Sequence, residues 1–201
     1  MGSLRLATNG GGGVSDMDRS RWKTVSSRLV YDTPWMTVRE DEAINPAGGE
    51  NRYGHIQFKN RAVAILAIDS AQHTFLVRQS RYTLGVQTWE LPMGGCPKHE
   101  SPLRAAQREL EEETGVVANH WRQVLKLHTS NSLTDELGLA FVATGLSHGQ
   151  AALEATEDIE VLKLPVGEAV RWAMDGTITD AISVATLLHY QLGRFDPAAR
   201  V

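Results

Sequence analysis

Apolar and polar residues alternate in short stretches along the first third of the chain, the two-residue period of half-buried strands. Val25 to Tyr31, Trp35 to Glu42 and Tyr53 to Phe58 carry this alternation, and Asn45-Pro46-Ala47-Gly48-Gly49 interrupts it as a turn. Arg61 to Asp69 is a near-continuous apolar run, which predicts a buried central strand. Thr74 to Gln79, Trp121 to Leu127 and Leu137 to Thr144 read as further strands. Between Ser101 and Gly115 the period becomes helical. Ser101 followed by Pro102 supplies a capping hydroxyl and a proline at the first helical position, and Gly115 supplies a left-handed stop. At about 100° per residue, Leu103, Ala106 and Leu110 share one arc, predicted to face a core. Glu109, Glu112 and Glu113 fall on the adjacent arc. Near the end, Gly167 to Met174 predicts a short helix, and Asp180 is placed to cap a second one carrying Ala181, Val184, Ala185, Leu188 and Leu192.

Three carboxylates on one helical face repel one another and ask for a compensating charge. A hard divalent cation, Mg²⁺ or Mn²⁺, is the natural candidate, because it takes oxygen ligands and keeps positions for water and phosphate oxygens. A bare ExxEE pattern is by itself the mark of a solvated acidic face. Its surroundings change that reading. Gly94 is followed after five residues by Glu100, and after seven more by Arg108-Glu109-Leu110-Glu111-Glu112-Glu113-Thr114-Gly115-Val116. This run resembles the Nudix box at every defining position. The resemblance implies an α/β (α+β) fold, a Nudix α/β/α sandwich with a mixed sheet, and hydrolysis of a nucleoside diphosphate linked to another group. It also implies that Glu109, Glu112 and Glu113 carry the metals, that Arg108 holds a glutamate in position, and that Glu100 is a structural or outer-shell acid.

The layout of the chain refines the resemblance. Residues 1–20, with four consecutive glycines at Gly10 to Gly13, read as a disordered leader. Residues 21–59 are expected to form a small N-terminal antiparallel β-sheet segment, and residues 60–201 the Nudix domain that the resemblance implies. Three strands are too few for a core of their own, so the segment is expected to pack on the remainder or on a second subunit. That layout resembles the ADP-ribose pyrophosphatase and nucleoside diphosphate sugar hydrolase branch, in which the N-terminal sheet helps form a homodimer and contributes to the base site. Trp22, Trp35 and Tyr53 are thereby candidates for stacking on a base, with Trp35 the one chosen, although isolated aromatics more often serve packing. Arg78 and Arg81 precede the box, and a guanidinium there suits a diphosphate. Arg81, at the start of a loop, is the favoured one, and Arg78 is the second candidate, with a solvent-facing place on its strand as the alternative. Trp89-Glu90-Leu91-Pro92-Met93-Gly94-Gly95 resembles the branch's WELPAG entry to the box. It implies that Glu90 contacts substrate or metal and that the Met93 backbone carbonyl, in place of an alanine's, is a metal ligand.

After the box, Ser130-Asn131-Ser132-Leu133-Thr134-Asp135-Glu136 resembles the branch's SPG-containing loop, with Asn131 and Ser132 replacing its Pro-Gly. That departure admits GDP-mannose or another sugar nucleotide beside ADP-ribose. Glu136 is the first candidate for a general base, and Glu154 and Glu157 compete for the role.

A net charge of -4 and no long Lys/Arg cluster argue against nucleic acid as a partner. No apolar run reaches transmembrane length, so no membrane partner is expected. The single Cys96 allows no intramolecular disulfide and suits a reducing, cytoplasmic setting. Its place inside a fully hydrolytic box also disfavours an isopentenyl diphosphate isomerase, which needs a catalytic cysteine. The sequence thus predicts a Mg²⁺- or Mn²⁺-dependent hydrolase of a small-molecule nucleoside diphosphate, ADP-ribose first. A nucleoside triphosphate pyrophosphatase and a non-catalytic ADP-ribose sensor are the rivals.

Overall fold

The computed structural model describes residues 20–149 and 158–193. The leader up to residue 19, and with it Gly10 to Gly13, lies outside the described residues, as do Glu154 and Glu157. Strands β1 (Lys23–Asp32), β2 (Met36–Ile44) and β3 (Glu50–Phe58) form an antiparallel meander in the order β1-β2-β3. The Asn45 turn joins β2 to β3, with Gly48 at φ +89° taking the left-handed conformation it requires. β1 is exposed along its whole length.

Two more sheets make up the rest. One has the order β7-β4-β9-β8, from β4 (Asn60–Ala67), β7 (Met93–Pro97), β8 (Val116–His128) and β9 (Leu137–His148). β4 and β9 are parallel while the other pairs are antiparallel, so this sheet is mixed. The other, antiparallel, has the order β10-β5-β6, from β5 (His73–Arg81), β6 (Val86–Glu90) and β10 (Glu160–Pro165). Helix α1 (Pro102–Thr114) covers one face of β4. Ala105, Ala106 and Leu110 bury there against Val63 and Ile65. Helices α2 (Val166–Asp175) and α3 (Ala181–Gly193) cover the other side, where Ile182 packs on Ala64 and Ala140. This is the α/β/α sandwich expected from the sequence.

The caps form as the residues dictate. Ser101 accepts a hydrogen bond from the Arg104 N–H, and Gly115 closes α1 at φ +66°. Asp180 accepts from the Ser183 N–H at 2.7 Å. One expectation changes. Leu103 is 40 % exposed while Ala105 is fully buried, so the buried arc of α1 is rotated toward Glu109 and Glu113, which are themselves buried. Arg81 is the last residue of β5, paired with Val86, and the turn itself begins at Tyr82 with its hydrogen bonds on the Arg81 carbonyl. Strands β6, β7 and β10 had no alternating pattern to announce them, being short and Gly- or Pro-bounded.

Replacing Leu110 by Ala should lower stability by about 3 kcal/mol, because it opens a cavity in a closed cluster. Leu103→Ala should cost under about 1 kcal/mol. Urea denaturation of the two variants checks the orientation of α1.

Candidate active site

The box is a loop and a helix laid against β4. Burying Glu109 and Glu113 on α1 is unfavourable unless their charges are met. Arg108 meets much of that demand. Its Nη1 donates to Glu109 Oε1 at 2.7 Å and to Glu112 Oε2 at 2.9 Å, and its Nη2 to the Gly95 carbonyl at 3.0 Å and Glu100 Oε2 at 3.3 Å. Burial opposes the charge on Arg108, but the hydrogen bonds to Glu100 and Glu109 outweigh it and raise its pKa. Glu113 Oε2 accepts from the Met93 N–H at 2.9 Å. A Cβ on Gly94 would fall 2.2 Å from the Glu109 carboxylate carbon, so only glycine lets this carboxylate lie against the β7 backbone.

The donor set fits a hard divalent cation: three carboxylates, all oxygen, gathered on one face of α1 beside β7. Among the described residues no three acidic, His or Cys side chains converge tightly enough to form a metal cage. The reason is visible in the contacts, since Arg108 bridges Glu109 and Glu112 while Glu113 turns to Met93.

Beside the box lies an open cavity of about 580 Å³. Met93, Gly94 and Gly95 form its box side, and Arg81, Glu90, Glu136 and Trp35 border it as well. Arg81 grips Glu90 with two nitrogens, Nε to Oε1 at 2.8 Å and Nη2 to Oε2, and Thr88 adds a hydroxyl to the same carboxylate. Glu90 is only 2 % exposed. Its hydrogen bonds raise the pKa of Arg81. Glu90 therefore braces Arg81, a role the sequence did not suggest. Arg78 lies apart from the cavity lining. It lies over the Trp89 ring and reaches Glu160 at 3.4 Å.

Glu136 is held by Thr129, whose hydroxyl donates to its Oε2, and both line the cavity. The loop that carries them is hydrogen-bonded to β3. The Ile56 N–H donates to the Leu133 carbonyl, the Asp135 N–H to the Ile56 carbonyl, and the Phe58 N–H to Asp135 Oδ1 at 2.7 Å. Trp35, at the β1–β2 turn, is 70 % exposed and is the aromatic that this meander turn contributes to the cavity. Tyr53 instead donates to the Ser132 carbonyl, and Trp22 packs edge-on against its ring.

Reading the sequence missed Thr129, Asp180 and Arg61 as cavity-lining residues. Asp180 was legible only as a helix cap, and Arg61 only as the first residue of an apolar strand.

Known proteins resemble this chain in sequence and in fold. The model of the NUDIX domain matches residues 58–182, and that of the nucleoside diphosphate sugar hydrolase N-terminal domain matches residues 22–56. An ADP-ribose pyrophosphatase of Mycobacterium tuberculosis is 32 % identical over 170 residues, covering 83 % of this chain and 82 % of its own. A GDP-mannose pyrophosphatase of Cronobacter sakazakii is 32 % identical over 146 residues, covering 66 % of this chain and 74 % of its own. The crystal structure of an ADP compounds hydrolase superposes with a TM-score of 0.77 over 90 % of this chain and 97 % of its own, at 22 % identity.

Glu90→Gln should destabilise the protein by about 2 kcal/mol, because it leaves a half-buried guanidinium without its anionic partner. Chemical denaturation at neutral pH checks this.

Proposed function

The chain belongs to the NUDIX hydrolase family, and on that premise we propose that it is a Mg²⁺- or Mn²⁺-dependent pyrophosphohydrolase of nucleoside diphosphate sugars, with ADP-ribose the preferred substrate and AMP and ribose 5-phosphate the products. The observation that carries this reading is that the box loop, Arg81 and Trp35 border the same cavity. A substrate with a diphosphate between two bulky groups suits such a site, whose polar cations and carboxylates adjoin an aromatic from the N-terminal sheet. The match of residues 22–56 to the N-terminal domain of nucleoside diphosphate sugar hydrolases supports it further.

NUDIX hydrolases use divalent metals. In this reading Glu109, Glu112 and Glu113, with the Met93 carbonyl, would hold them. Bound there, a divalent cation polarises phosphoryl oxygens and makes water more acidic. The chain's own residues do the rest. Arg108 bridges Glu109 and Glu112 and orients them. Arg81 presents a planar guanidinium to the diphosphate; because Glu90 already balances its charge, its contribution is orientation more than attraction. Glu136 accepts the proton of the attacking water, with Thr129 fixing the direction of its carboxylate. Trp35 stacks on the base.

GDP-mannose is the second reading. It is favoured by Asn131 and Ser132 in place of Pro-Gly, and by the resemblance to a GDP-mannose pyrophosphatase. We further propose a homodimer formed through the N-terminal segment at residues 21–59, ahead of a hydrolase domain at 60–201, in a cytoplasmic setting. Support comes from β1, which exposes Val25, Leu29, Val30 and Tyr31. Such a patch is costly to leave in water. Among the described residues no helix is long and apolar enough to cross a membrane.

The test is a hydrolysis panel with Mg²⁺ or Mn²⁺: ADP-ribose, ADP-glucose, GDP-mannose, UDP-glucose and several triphosphates, with products identified by chromatography. ADP-ribose should lead and yield AMP; a lead for GDP-mannose selects the second reading, and cleavage of triphosphates alone overturns both. Glu112→Gln and Glu113→Gln should each lower kcat on the order of 10²-fold or more, the loss of several kcal/mol of transition-state stabilisation, with circular dichroism unchanged. Near-normal rates in both would sink the carboxylate assignment.

A further inference from the structure

Arg61 is the second residue of β4, beside the box loop, and none of the roles above uses it. Its Nη2 donates to two main-chain carbonyls across a long stretch of sequence, Pro97 at 3.3 Å and Glu100 at 2.7 Å. Both carbonyls also lie 3.7 Å from the thiol of Cys96, which is fully buried and pairs with Arg61 in the β4–β7 ladder. The period of the strand puts Arg61 on the same face as Val63 and Ile65, the face that α1 covers. Arg61 thus grips the box loop at its second half.

Arg108 grips the same loop from the helix. It holds the Gly95 carbonyl and the Glu100 carboxylate. The two arginines meet at Glu100, Arg61 on its main chain and Arg108 on its side chain. From there Arg108 continues to Glu109 and Glu112.

The environment of Arg61 is otherwise unfavourable. Its Nε is buried with no hydrogen-bond partner. A donor left in that state loses its water and gains nothing in return, and an apolar side chain at this strand position would avoid the loss. The guanidinium is kept for its two loop bonds.

We infer that Arg61 is a positioning residue for the cation site: by fixing the segment from Pro97 to Glu100 it delivers Glu100 to Arg108, which in turn presents Glu109 and Glu112. The inference rests on the reading of those carboxylates as cation ligands. It predicts an effect on metal affinity in the substrate-free protein that is separable from stability.

The experiment is titration of the full-length, substrate-free protein with Mn²⁺, followed by electron paramagnetic resonance of the free ion. Arg61→Met should weaken Mn²⁺ binding about tenfold, the lower end of what losing an outer-shell support does. Arg61→Lys, which can still donate to one carbonyl, should recover part of that loss. Leu187→Ala, buried in the α3 cluster and remote from the loop in sequence, is the destabilised control. It should lower the melting temperature and leave Mn²⁺ affinity at the wild-type value. With ADP-ribose, Arg61→Met should lower kcat. Wild-type Mn²⁺ affinity in Arg61→Met overturns the inference, as does an equal loss in Leu187→Ala. If Arg61→Met does not fold, Arg61→Gln replaces it with the same expected sign and the same overturning result. Absence of Mn²⁺ binding by the wild-type protein would instead overturn the carboxylate reading, and the inference with it.

Discussion

An α-helix that carries Glu109, Glu112 and Glu113 on one face and buries two of them is under strong electrostatic constraint. At i, i+3 and i+4 the carboxylates are neighbours, and like charges at that spacing destabilise a helix even in water. Burial sharpens the conflict, because an unpaired buried carboxylate protonates or opens the structure. Arg108 is the interaction on which the rest depends. A single guanidinium reaches two carboxylates of its own helix, a third at Glu100, and the Gly95 carbonyl. Lysine would not do the same, since it lacks the planar fork that serves separate acceptors in fixed directions. The residues around it adapt. Gly94 gives up its side chain so that Glu109 can lie on the β7 backbone, and Met93 offers its N–H to Glu113.

The same economy appears across the cavity. Arg81 and Glu90 form a paired unit at the β5–β6 edge, where adjacent strands bring residues 81 and 90 together. Pairing leaves Arg81 directional but largely neutralised, although its guanidinium stays partly exposed at the cavity. The N-terminal meander then enters through hydrogen bonds. β3 holds the loop at 130–136 by main-chain bonds at Ile56 and by Asp135, so that Glu136 and Trp35, far apart in sequence, border one cavity. A sheet too small to own a core gains its order from the loop it docks, and the loop gains its fixed shape from the sheet.

Much of this was legible from the residues. The helix from Pro102 to Thr114 follows from its caps and the absence of breakers, and the three glutamates share a face because 100° spacing places them there. The central strand, the Asn45 turn and the Asp180 cap are equally local, fixed by apolar continuity, by glycine at positive φ and by a short carboxylate near free N–H groups. The box spacing named the family, because so long a constellation of defined positions has one common use.

What the sequence alone could not decide is whatever depends on partners distant along the chain. Which arc of α1 is buried turned on its packing against β4, and the helix rotated to cover Ala105 and the carboxylates in place of Leu103. Glu90 reads locally as a residue of the box entry; only strand pairing makes it the brace of Arg81. Arg61 reads as the polar start of an apolar strand, and only the ladder with β7 sets it against Pro97 and Glu100. Local pattern determines which elements form and which side chains they carry, since propensity and period are short-ranged. The joining of those side chains into one site was decided by tertiary structure, because contacts between residues tens of positions apart exist only once sheets and helices have packed.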